Sequence, residues 1–131
     1  MVLQGRRYLE QILGKGQKTK MISQRDIVLL KFPFSDLKSS KIRPALVLSN
    51  DDYNSRFEDF VAVPLTTNLQ LREYTILITS NELETGRLIA ESKVKVDRIF
   101  SVSKKLVRIK IGRLKQETYA RIKSMLLDLI E

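Results

Sequence analysis

The sequence predicts a small, mainly β fold of the α+β class, a barrel or sandwich closed by a C-terminal helix. Three observations predict it. Short apolar runs recur at close spacing with turn residues between them. Two of those runs, Lys93-Val-Lys-Val96 and Leu106-Val-Arg-Ile-Lys-Ile111, alternate with period two, so each buries one face and wets the other. After about Lys115 the apolar period changes to that of a helix. At 131 residues the chain supports one core and not two.

Taken in order, residues 1–20 stand apart as a basic, flexible extension. Arg6, Arg7, Lys15, Lys18 and Lys20 face a single acid, Glu10, and Gly14 to Lys20 has the composition of a linker. The patterned domain spans 21–131. Ile27 to Phe32 is an apolar run ended by Pro33, and Ser35 to Ser40 is a polar turn cluster. Pro44 starts the run Ala45 to Leu48, which Ser49-Asn-Asp-Asp52 closes as a turn. Phe60 to Leu65 and the β-branched Tyr74 to Thr79 follow as strands. Ser80-Asn-Glu-Leu-Glu84 carries a serine cap followed by acids, with Gly86 behind it, and predicts a short helix. In the C-terminal segment Tyr119, Ile122, Leu126 and Leu129 recur at helical spacing, flanked by Met125 and Ile130. That stripe is expected to pack against the sheet.

Composition narrows the chemistry. The chain has no cysteine and no histidine, which excludes disulfides, thiolate ligands, cysteine nucleophiles and histidine bases. No cluster has the spacing of a metal site, and no cofactor motif is present. No uninterrupted apolar stretch approaches the ~18 residues of a membrane span. The net charge of +9 favours a polyanion or an acidic protein as partner, and the excess runs along the whole chain.

Three polar groups interrupt the apolar strands. Arg43, beside Pro44 at the start of a strand, could present a fork of donors to a phosphate or pair with an acid such as Asp36. Thr66 and Thr67 end a buried strand and either cap it or aim a hydroxyl at a phosphate oxygen. Asp97 lies on the same side as Lys93 and Lys95, where it could act as a base or be neutralised.

Asp26-Ile-Val-Leu, Phe32-Pro-Phe-Ser-Asp-Leu37, Arg43-Pro-Ala-Leu-Val-Leu-Ser49 and Val63-Pro-Leu-Thr-Thr67 together resemble the MazF/PemK family of toxins. The match runs on through Gly86-Arg-Leu88, Ile99 and Ile111-Gly-Arg-Leu114 to the terminal helix, over about residues 22–130. The resemblance implies an SH3-like β-barrel of the MazF/CcdB kind, a homodimer, and a cytoplasmic toxin of a type II toxin–antitoxin system. It implies sequence-specific, metal-independent cleavage of single-stranded RNA. It implies attack of the 2′-hydroxyl on phosphorus, leaving a 2′,3′-cyclic phosphate and a 5′-hydroxyl. It implies a small antitoxin with an acidic toxin-binding segment as partner.

Carried over by position, Arg43 matches the family's catalytic arginine and Thr66 its catalytic threonine. Asp97 stands where some members have a catalytic acid, and Lys95 where those members have an arginine. Arg98 and Ile42 replace a frequent glutamine and an occasional histidine. RNA contacts are expected from Phe34, Ser35, Lys38 and Lys41 in the first loop, and from Thr67, Asn68, Gln70 and Arg72 after the threonines. Two alternatives stand beside this expectation: a non-catalytic RNA binder on the same fold, and a toxin directed at gyrase.

Overall fold

The computed structural model describes residues 21–33 and 40–131. The extension expected over residues 1–20, and the first-loop residues Phe34, Ser35 and Lys38, lie outside the described residues. The strands are β1 (Asp26–Pro33), β2 (Ser40–Val47), β3 (Asp59–Thr66), β4 (Thr75–Ile78), β5 (Leu83–Gly86), β6 (Ser92–Lys95), β7 (Phe100–Ser103) and β8 (Val107–Leu114). Helix α1 (Asp51–Arg56) joins β2 to β3, and α2 (Gln116–Ile130) ends the chain. All strand pairings are antiparallel, in the order β4-β6-β3-β2-β1-β8-β5, with β7 also on β3. The sheet curls into a half-barrel which, with the C-terminal helix, fits the α+β expectation.

The central strand β1 explains the unbroken run Ile27-Val-Leu-Leu30. Ile27 and Leu29 point into one apolar cluster, and Val28 and Leu30 into a second on the opposite face. Both faces are buried, so no polar alternation appears. The first cluster fills the concave side and takes Leu46, Val63, Leu65, Ile76, Val94, Ile109 and Ile122. The second gathers Ala45, Val47, Phe60, Ala62 and Val102. Burying each of the larger side chains contributes on the order of 1.5–3 kcal/mol.

Helix α2 lies over the concave side as its stripe predicts. Ile122 is fully buried, and Tyr119, Met125 and Leu126 pack beside it. The fully buried Asp26 carboxylate is tolerated because it accepts from Ser23 N at 2.9 Å, Arg113 Nε at 3.1 Å and Lys110 Nζ at 3.1 Å.

Three local expectations need correction. Asn50 does not close a turn: its side chain accepts from Tyr53 N at 2.8 Å and starts α1. The short helix expected over residues 80–84 is a single 3-10 turn, Ser80–Glu82, capped by Thr79 and not by Ser80. Glu82 returns the bond by accepting from Thr79 N at 2.6 Å, which holds its carboxyl below the usual range. Gly86 ends a strand and not a helix; it takes φ +78° so that β5 can lie against Ile111 and Gly112 of β8. Strand β7 was not expected at all. Among the described residues, no helix is long and apolar enough to cross a membrane.

Candidate functional site

β3 links two parts of the sheet and places the site. At its middle it pairs with β2, Ala45 opposite Pro64, Leu46 opposite Val63 and Val47 opposite Ala62. At its end it pairs with β6, Leu65 opposite Val94 and Thr66 opposite Lys93. The β2–β3 ladder stops at Pro64, which has no N–H to continue it. Continued by two residues, the same register sets Arg43 opposite Thr66. Both side chains then belong to the face of Ala45, Val47 and Ala62, because side chains alternate along each strand.

The β3–β6–β4 segment has two distinct faces. Leu65, Val94, Ile76 and Ile78 point into the core. Thr66, Lys93, Lys95 and Thr75 point the other way, into an open cleft of about 140 Å³. Asn68, Gln70, Leu71 and Arg72, from the connection between β3 and β4, complete its wall. A larger hollow of about 300 Å³ lies at the start of α2. There Glu82 and Glu117 offset Lys115 and Arg121, and none of the expected site residues is present.

The connection over residues 67–74 is pinned at several points. Thr66 Oγ1 accepts from Asn68 N at 3.1 Å, and Asn68 Oδ1 from Gln70 N at 3.1 Å. Lys93 Nζ donates to Gln70 O at 2.8 Å, and Thr75 Oγ1 to Arg72 O at 2.7 Å. Tyr74 turns the chain into β4 at φ 58°, a conformation costly for a residue with a Cβ. Thr66 Oγ1 accepts from Asn68 N, and that bond leaves its hydroxyl hydrogen available as a donor.

Asp97 meets Arg72 in a two-pronged pair, Nη1 to Oδ1 at 2.8 Å and Nη2 to Oδ2 at 2.7 Å. Hydrogen bonding to Arg72 holds the Asp97 carboxyl below the usual aspartate range, and the same bonds raise the guanidinium. A carboxylate so held is a weak base. Its geometry makes Asp97 the anchor of Arg72.

Of the residues singled out in the sequence, the cleft brings together Thr66, Asn68, Gln70, Arg72 and Lys95. Arg43 does not line it; it sits half-buried in β2 opposite Leu30, across the gap from Thr66. Lys41 precedes it on the same strand face, and Thr67 follows Thr66 half-buried. Sequence reasoning left Lys93 out of the site, although its alternation with Val94 and Val96 marked it as outward-facing. Among the described residues, no three carboxylates converge where a metal ion could be held.

Solved structures share this architecture. An endoribonuclease from Mycobacterial species superposes with a TM-score of 0.65 at 21% identity, covering 87% of this chain and 95% of that one. An endoribonuclease in complex with its cognate antitoxin, also Mycobacterial, gives 0.66 at 20% identity over 83% and 94%. The MazE–MazF complex (Form-III) from Deinococcus radiodurans gives 0.69 at 21% identity over 84% and 96%. At these identities the likeness is one of fold. No curated protein matches the chain by sequence. The family model of PemK-like, MazF-like toxins of type II toxin–antitoxin systems matches residues 23–130, which takes in every described strand and both helices. On that match over most of its length, the chain belongs to the PemK-like, MazF-like toxin family.

Proposed function

We propose that this chain is a metal-independent endoribonuclease that cuts single-stranded RNA at a short sequence. The observation that carries the reading is the placement of Arg43 and Thr66 on one face of adjoining strands, beside a cleft walled by Lys93, Lys95 and Arg72. In the reaction the 2′-oxygen bonds to phosphorus and the bond to the 5′-oxygen breaks. Net, one proton passes from the 2′-hydroxyl to the 5′-oxygen. Negative charge gathers on the non-bridging oxygens, where Arg43 supplies charge-assisted hydrogen bonds and Thr66 a neutral one. Arg43 stays protonated and serves as a stabiliser of charge, not as a base. Without histidine, turnover is slow. Asn68, Gln70 and Arg72 offer donors and acceptors to unstacked bases.

The same reading makes the protein a cytoplasmic homodimer, silenced by a small antitoxin whose acidic segment complements the +9 charge of this chain. The test is cleavage of a long, unstructured RNA in EDTA, with cut sites mapped by primer extension. Discrete cuts with 5′-hydroxyl ends, lost in a folded Arg43→Ala variant, are expected. Tight, salt-dependent binding with no cut in any of several RNAs would overturn the reading in favour of a binder. The capture of the Asp97 carboxylate by Arg72 is the observation that favours that second possibility. RNA left intact beside gyrase-dependent DNA breaks would point to a protein target.

A further inference from the structure

We propose that Lys93 is a third group on the reacting phosphate, alongside Arg43 and Thr66; the inference rests on the RNA-cleavage reading. Lys93 is the direct partner of Thr66 across the β3–β6 ladder. Directly opposed residues on a sheet have Cβ atoms about 4.5–5.5 Å apart, and the four-carbon stem of a lysine spans that gap. Continued two residues past the Ala45–Pro64 pair, the register of β2 sets Arg43 on the other side of Thr66, on the same face. The row across three strands is therefore arginine, threonine, lysine, with the hydroxyl between two cations.

The state of each group supports the assignment. Lys93 spends one of its three N–H donors on Gln70 O at 2.8 Å, which holds the ammonium at the wall of the cleft. Two donors remain for a ligand. Among the described residues no carboxylate pairs with Lys93; Asp97 has both oxygens on Arg72. Arg72, by contrast, is largely neutralised. Lys95 shares the face but stands one rung farther along β6, opposite Thr75 instead of Thr66. Lys93 thus holds the phosphate without exchanging an atom or a proton with it.

The test uses the full chain. Cut sites are mapped with the wild type, and the shortest RNA it cuts becomes the substrate. The same oligonucleotide with a 2′-O-methyl group at the cut nucleotide serves as the binding probe. Lys93→Met is expected to lower kcat/KM by about 10²-fold, the scale of losing one preorganised donor. It should also flatten the slope of log affinity against log salt by about 0.7, the value for one phosphate contact on a single strand. Lys93→Arg should stay within about tenfold of wild type and keep the full slope. If the wild type cuts RNA and Lys93→Met cuts it equally well, the inference fails while the cleavage reading stands. If both variants lose activity together with the salt slope unchanged, Lys93 merely props the loop through Gln70, and the inference fails again. A wild type that cuts no RNA overturns the cleavage reading and this inference with it. Lys93→Gln supplies the comparison should Lys93→Met melt early.

Discussion

Arg72 grips Asp97 with two nearly equal hydrogen bonds, 2.8 and 2.7 Å, and so ties the connection before β4 to the turn after β6. The pair is partly open to solvent, with the guanidinium 39% and the carboxylate 22% exposed, so its worth lies in position more than in stability. Asp97→Asn breaks the fork and frees Arg72 to swing. The expected result is a rise in KM of about fivefold, the scale of a partly exposed ion pair, with kcat little changed and the melting temperature nearly that of wild type. The carboxyl is held below its ordinary value by Arg72. Its contribution is therefore complete above that ordinary value, near pH 4, and is lost as pH falls through the lowered one. In wild type KM should be flat from pH 7 to about pH 5. A marked rise in KM between pH 7 and 5, absent from the asparagine variant, would contradict this.

The Thr66 hydroxyl can accept and donate at once, and a pair of variants tests whether the proposed site depends on it. Its oxygen accepts from Asn68 N and its hydrogen is free to donate. Thr66→Val removes both and should cut kcat by about 10²-fold. Thr66→Ser keeps both and should recover most of the rate. A Thr66→Val variant as fast as wild type would show that the site does not use the hydroxyl, and equal losses in the two variants would show that it needs the methyl group as well.

How far the fold could be read from the residues follows from where the pattern is local. Strands β1, β3, β6 and β8 announce themselves, because burial on one face or two leaves a direct trace in the order of side chains. Helix α2 does so through its stripe around Ile122. Helix α1 spans only Asp51–Arg56, too short for a period, and Asn50-Asp-Asp reads equally well as a turn until the bond to Tyr53 N is seen. Strand β7, Phe100–Ser103, has only four residues, and its pairing with distant β3 is what makes it a strand. The same limit applies to the site. Arg43 and Thr66 enter the proposed site through the family resemblance, since their motifs are contiguous in sequence. The place of Lys93 opposite Thr66, and the capture of Asp97 by Arg72, depend on long-range register that no local pattern encodes.

Gly86 sits where β5 lies tight against β8. A Cβ built there would lie 2.1 Å from Ile111 O and 2.5 Å from the Cα of Gly112, against backbone that has no side chain to move aside. The φ of +78° adds a conformational penalty of about 1–2 kcal/mol for any residue with a Cβ. Gly86→Ala should therefore lower the melting temperature by about 10 °C or more, or prevent folding. Gly112→Ala, with Thr85 O at 2.6 Å, should behave in the same way from the other side. A wild-type melting curve for Gly86→Ala would mean that β5 does not pack on β8 as described.

Tyr119 fastens α2 to the start of the domain. Its hydroxyl donates to Leu48 O at 2.7 Å and accepts from Gln24 Nε2 at 3.0 Å, while Gln24 Nε2 also donates to Leu48 O at 2.8 Å. Tyr119→Phe keeps the ring against the core and removes both bonds. Leu48 O retains Gln24 as a donor, so the loss should be about 1–2 kcal/mol, the range for a hydrogen bond or two at a partly buried site. That corresponds to a melting temperature lower by about 4–10 °C, with cleavage expected to be unaffected at 25 °C because the proposed site lies on β2, β3 and β6, away from the hydroxyl. Burial pushes the phenol above its ordinary value. The folded group thus resists ionising, and its contribution is complete below about pH 10 and disappears as pH rises through the raised value. Thermal melts of wild type and Tyr119→Phe should accordingly converge in strongly alkaline buffer. A gap that stays constant through that range would contradict this, because an ionised oxygen can no longer donate to Leu48 O.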